Sequence, residues 1–154
     1  VGQYHGGLGG WGDSLILSDQ SYKEVIARYV ARNTQTSGDF GQYVAIGLVN
    51  EDREIVAGAV FNGYSKPNIL MHIAAERVTP GFISALMHYA FIQADCKRIT
   101  GLIHKKNKAS RKFAEKLGAR LEGTMREAAP NDDVCVYGLM KSQGLKWIRR
   151  EHGR

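Results

Sequence analysis

The sequence has little cysteine and no long apolar run. Its two cysteines, Cys96 and Cys135, lie far apart and match no metal-ligand spacing, so the simplest reading is reduced thiols in a cytoplasmic protein. Neither a disulfide nor a bound metal is expected. No stretch approaches the ~18 apolar residues needed to cross a bilayer, and the first residues lack the basic-then-apolar order of a secretory signal. A soluble protein that does not act at a membrane is the expectation. The glycine-rich opening VGQYHGGLGGWG also lacks what a phosphate loop requires, a strand before it and a Lys-Thr or Lys-Ser pair after it. Residues 1–13 therefore read as a flexible arm, and 14–150 as one domain.

What is present fits a compact fold. The chain has 154 residues, 44% hydrophobic and 23% charged, enough to bury a core. Twenty-one Lys and Arg against 15 Asp and Glu leave a formal charge of +6, which suits an anionic ligand, nucleic acid or an acidic surface without choosing among them. Only the placement of the charge can choose.

Local patterning gives the order of elements. Leu15, Ile16 and Leu17 read as a short strand, and Ser18 or Asp19 can cap a helix with apolar positions Tyr22, Val25, Ile26, Tyr29 and Val30, ending near Asn33. YVAIGLV, NEDRE and IVAGAVF form a hairpin. In NILMHIAA both alternate sets are apolar, Ile69, Met71 and Ile73 on one side and Leu70 and Ala74 on the other, the signature of a central strand covered on both faces. Thr79 and Pro80 start a helix expected to reach Ala94, and RITGLI is a short strand. Asn107 caps a helix that packs through Ala109, Phe113 and Leu117 and stops at Gly118. A hairpin around PNDD and a basic tail helix from Lys141 to Arg150 complete the chain. The expected architecture is α/β, a mixed, mostly antiparallel sheet with helices on its faces.

This order, together with NKASRKFAEKLGARLEGTMRE after a strand, resembles the GNAT superfamily of N-acetyltransferases, nearest to its ribosomal-protein and phage-type members. The likeness spans about residues 14 to 147 and rests most on Asn107, Ser110, Glu115, Lys116, Leu117, Gly118, Glu122, Gly123 and Arg126. The resemblance implies splayed central strands, with acetyl-CoA in the gap and its pantetheine arm paired along Ile73, Ala74, Ala75 and Glu76. It also implies a pyrophosphate site in the loop before the next helix, through Thr79, Gly81 and Phe82. Asn107 and Ser110 would hold the pantetheine as well as start their helix. The loop ERVTPGF departs from the family's glycine pattern, and Pro80 contributes no N–H. Ala114 stands where many members carry the tyrosine that protonates the leaving thiolate.

Amine acetylation needs a base, polarisation of the thioester and a path for two protons. His72 titrates nearest neutrality and lies on the central strand; it reads equally as a base or as a buried histidine satisfied by a neighbour. Glu76 ranks behind it as a water-mediated base, a strand-end carboxylate being more often simply solvated. Tyr137 either packs on the sheet or replaces the missing acid. Lys105, Lys106, Lys108, Arg111 and Lys112 put five positive charges within eight residues. They read as a solvated helix face or, for Lys108 and Arg111 above all, as contacts to the phosphates of CoA. Nucleic acid is the lesser reading, because no aromatic residues interleave with the charges. The expected activity is acetyl transfer to an amine of a small molecule or a protein N-terminus, by a monomer or homodimer, and the alternative is a silent member that binds acyl-CoA or a macromolecule.

Overall fold

The computed structural model describes residues 3–5 and 15–149. Its strands are β1 (Gln3–His5), β2 (Leu15–Leu17), β3 (Tyr43–Val49), β4 (Ile55–Asn62), β5 (Asn68–Ala75), β6 (Arg98–His104), β7 (Arg120–Ala129) and β8 (Asp132–Met140). They form one eight-stranded sheet in the order β1-β2-β3-β4-β5-β6-β8-β7. Among the described residues β5 and β6 alone run parallel; the other neighbours are antiparallel. The helices are α1 (Lys23–Thr34), α2 (Pro80–His88), α3 (Lys108–Leu117) and the short α4 (Lys141–Gly144). The sheet is mixed and its helices lie on both faces, as the patterning implied.

Strand alternation divides the core between the faces. On one, Ile26, Ala27, Tyr29 and Val30 of α1 pack with Ala45, Val49, Val60 and Ala74. On the other, Phe82, Leu86 and Met87 of α2 and Leu117 of α3 pack with Ile46, Ala59, Phe61, Ile69, Ile99 and Leu139. Each large side chain so buried contributes about 1.5–3 kcal/mol. Helix α1 approaches the sheet closely because Gly58 has no side chain: a Cβ there would stand 3.0 Å from methyl carbons of Ile26 and Val30. Gly118 ends α3 with φ 108°, the left-handed stop expected there.

Several local expectations change. Gln3–His5 pairs with Leu15–Leu17 as an edge strand, where an arm was expected; the rest of that arm lies outside the described residues. Asp19 caps a 3₁₀ turn, Gln20–Tyr22, accepting from the Ser21 N–H at 2.9 Å, and α1 follows it, reaching Thr34 and ending on left-handed Gln35. That turn shifts the helical phase, so Tyr22 and Val25 are exposed and Ala27 is buried. Helix α2 passes into a π-helical turn, Tyr89–Gln93, which brings Ala90 and Phe91 together into the core. Ala109, expected to pack, is exposed; α3 meets the core through Leu117 and the half-buried Phe113. The tail leaves α-geometry after Gly144, as a 3₁₀ turn folds Trp147 back to donate to the Leu117 carbonyl at 2.8 Å; Arg150 lies outside the described residues.

Candidate active site

The parallel pair of strands is joined at one end only. β5 and β6 pair at Asn68 with Arg98, Ile69 with Ile99 and Leu70 with Thr100. Beyond these positions β5 continues on β4 as far as Ala75, and β6 on β8 as far as His104. The two strands therefore diverge, leaving backbone edges that face each other across a wedge. At its closed end Thr100 donates to Asn68 Oδ1 at 2.6 Å and accepts from Arg98 Nε at 3.0 Å. The open part is lined by Met71, His72 and Ile73 of β5, by Gly101 to His104 of β6, and by Asn107, Ser110, Phe113 and Ala114 of α3. Thr34 and Thr36 reach it from the end of α1, and Tyr137 and Leu139 from β8. The walls are largely apolar, and the polar groups are few and convergent, as in ligand pockets generally.

His72 lies on the α1 side of this wedge, half-buried. Its Nε2 is 3.0 Å from Asn62 Oδ1, and Asn62 Nδ2 donates to the Phe40 carbonyl at 3.0 Å. The second bond fixes the amide, since only its nitrogen can donate to a carbonyl. Oδ1 is then an acceptor, so His72 must carry hydrogen on Nε2, and its neutral form has Nδ1 as the free base. The Phe40 ring packs against the imidazole, centroids 5.2 Å apart. Burial pushes the His72 pKa below its ordinary value, which keeps the ring neutral at physiological pH.

Tyr137 is almost fully buried beneath α3. Its hydroxyl donates to Glu115 Oε2 at 2.7 Å and accepts from Arg111 Nε at 3.1 Å. Burial raises its pKa; of its two partners Arg111 opposes the rise and Glu115 reinforces it. Arg111 also donates to the Lys105 carbonyl at 3.2 Å. One of the five clustered charges thus turns inward to the phenol. Lys106 Nζ donates to the Asn131 carbonyl at 2.8 Å, while Lys105 and Lys108 edge a surface hollow shared with Asp132 and Asp133.

The remaining residues singled out from sequence divide between the wedge and its surroundings. Asn107 caps α3 by accepting from the Ser110 N–H at 3.1 Å, and both line the wedge. Ile73 lines it too, whereas the Ala74 side chain packs under α1 and Ala75 ends the strand exposed. Glu76 shares the parity of His72 but lies beyond the strand, in a separate hollow against α1. Thr79 is buried and accepts from the Phe82 N–H at 3.1 Å, and its carbonyl takes the Ile83 N–H. With Pro80 lacking a donor, Gly81 offers the remaining N–H of that first turn among the described residues. The Phe82 side chain belongs to the core.

The sequence model of the acetyltransferase (GNAT) domain matches residues 11–120. The chain belongs to the GNAT acetyltransferase family. Solved structures agree in fold. A ribosomal-protein-S5-alanine acetyltransferase from Vibrio fischeri superposes with TM-score 0.64 at 10% identity, over 83% of this chain and 93% of that one. A chimera of spermidine N-acetyltransferase SpeG from Vibrio cholerae with hSSAT gives 0.62 at 12% identity, over 86% and 98%. A GCN5-related N-acetyltransferase from Brucella melitensis gives 0.61 at 14%, over 92% and 80%. No curated protein sequence matches this GNAT chain.

Sequence reading missed two side-chain partners, one of His72 and one of Tyr137. Asn62 is the diagonal neighbour of His72, because Val60 pairs with His72, and the hairpin register would have found it. Glu115 lies one helical turn after Arg111, a spacing visible in the sequence once Tyr137 is known to lie beneath them.

Proposed function

We propose that the protein transfers an acetyl group from acetyl-CoA directly to a primary amine within one ternary complex. The observation carrying this reading is the wedge between β5 and β6. Past Leu70 and Thr100 its facing strand edges suit an extended amide-bearing arm, and its apolar walls suit a thioester. Asn107 and Ser110 at the start of α3 are the polar groups suited to orienting that arm.

His72 acts as the base. Neutral, with Nδ1 free, it takes a proton from the amine as nitrogen attacks the thioester carbonyl carbon; the C–N bond forms, the C–S bond breaks and the thiolate takes up a proton. Ala114 cannot supply that last proton, although it lines the wedge. Tyr137 is the phenol in the same cavity, and it serves as the acid with Arg111 and Glu115 holding its hydroxyl. The acceptor amine belongs to a small molecule or a protein N-terminus, consistent with relatives named for spermidine and for a ribosomal protein.

Ala114 in the wedge wall and Pro80, which brings no N–H to the first turn of α2, favour a second reading, a silent member that binds acyl-CoA without turnover. Calorimetric titration with acetyl-CoA and with CoA, followed by a thiol-release screen over amines, separates the two. Binding with release supports the enzyme, binding without release the silent member, and absence of binding sinks both.

A further inference from the structure

Outside the wedge, a second hollow opens on the α1 face of the sheet. Arg28 and Arg32 of α1 line it with Arg53 from the β3–β4 turn, together with Tyr29, Asn33 and Glu76. Arg28 and Arg32 are one helical turn apart, where like charges repel. Arg53 adopts φ 65°, a left-handed conformation that a glycine or asparagine would adopt at less cost. The turn is held there by the Arg53 N–H on the Asn50 carbonyl at 3.0 Å, and by Asn50 Oδ1 accepting from Asp52 and Glu54. The two ion pairs among the described residues, Arg98 with Glu122 and Lys141 with Asp95, involve none of these arginines. Among the described residues, Glu76 is the one carboxylate lining the hollow. Three guanidinium groups from two elements, with a single acid among them, suit the planar oxygens of a carboxylate or phosphate.

The position of the hollow ties it to acyl transfer. Glu76 follows β5 by one residue, and its N–H donates to the Val56 carbonyl at 2.8 Å, prolonging the ladder. It stands four positions along from His72 on the same face, a backbone span of about 13 Å. The last turn of α1 divides the two cavities, with Arg32 and Asn33 on the hollow and Thr34 on the wedge.

We propose that Arg28, Arg32 and Arg53 form an anion site that holds a carboxylate or phosphate of the acceptor, across the last turn of α1 from its reactive amine. This rests on the reading of His72 and the wedge as the place where the amine reacts. The acceptor class is then an extended amine with a distal anionic group, such as a peptide N-terminus with an acidic or phosphorylated side chain on its fourth residue.

The test uses the full chain saturated with CoA, which occupies the wedge, and calorimetry with three peptide amides: Ala-Gly-Gly-Glu, Ala-Gly-Gly-phosphoserine and Ala-Gly-Gly-Gln. At least one charged peptide is expected to bind about tenfold more tightly than the neutral one, and which one does identifies the anion. Arg32→Gln and Arg53→Gln, exposed and on different elements, should each reduce that preference with an unchanged melting temperature. No preference in the wild type, or a preference surviving in both variants, overturns the site. The same peptides with acetyl-CoA report on transfer separately: a charge preference without thiol release leaves the anion site standing and removes acyl transfer, while release without preference does the reverse.

Discussion

Asn62 Oδ1 lies 3.0 Å from His72 Nε2, and the Asn62 amide nitrogen is itself committed to the Phe40 carbonyl. One side chain thereby sets the tautomer of another. A histidine whose Nε2 hydrogen is engaged and whose ring is partly desolvated is a neutral base at pH 7, which is the state acetyl transfer requires.

His72→Ala should keep acetyl-CoA binding and lose about 10²-fold or more in kcat. In the wild type kcat/KM should rise with pH through a limb centred below the ordinary 6.5 of histidine and then level off. Asn62→Ala, which frees Nε2, should move that limb and lower the rate less than His72→Ala. A pH profile that is flat, or identical in the Asn62 variant, removes the pair from the reaction.

The same group links pH to stability. The folded pKa of His72 is lowered, so between it and 6.5 the unfolded chain binds more protons and stability increases with pH. The contribution is fully present above the unfolded value and is lost as pH falls from about 6.5 through the folded pKa. Thermal unfolding scans of wild type and His72→Asn should diverge over that acidic window and run parallel above it.

Tyr137 is held between Glu115 and Arg111. Tyr137→Phe removes one hydroxyl and should cost about 1 kcal/mol of stability, measurable by urea unfolding. If the phenol protonates the thiolate, kcat should also fall about tenfold or more with acetyl-CoA and much less with a thioester of a more acidic thiol. Equal losses on both thioesters would reduce Tyr137 to a packing role.

Lys108 and Arg111 are near neighbours on one helix with different surroundings. Lys108→Ala should weaken CoA a few-fold while leaving dephospho-CoA unchanged, a surface charge being worth up to about 1 kcal/mol. Arg111→Ala should weaken both ligands equally, because it releases Tyr137 and the Lys105 carbonyl. Calorimetry with the two ligands distinguishes these patterns.

Gly58 lets α1 settle on the sheet. Gly58→Ala should destabilise by about 1–3 kcal/mol through pressure on Ile26 and Val30, with acetyl-CoA affinity little changed. A neutral result in chemical denaturation would mean that α1 can shift without loss of packing.

The sequence by itself determined the elements whose signals are local. Asn107 and Gly118 bound α3, Thr79 and Pro80 start α2, and alternating apolar residues mark β3, β4 and β5, because capping, φ preference and side-chain period act over a few residues. Those same signals, in order, were enough for the family likeness. Only the tertiary structure decided which residues meet. Sheet register brought Asn62 to His72, ten positions apart, and β8 brought Tyr137 under Arg111 and Glu115 from more than twenty away. Pairing that stops at Leu70 and Thr100 opened the wedge, and the bend after β5 carried Glu76 out of it into the arginine hollow. The physical reason is that hydrogen bonding and charge pairing depend on distance in space, which in this sheet is fixed by strand order and register.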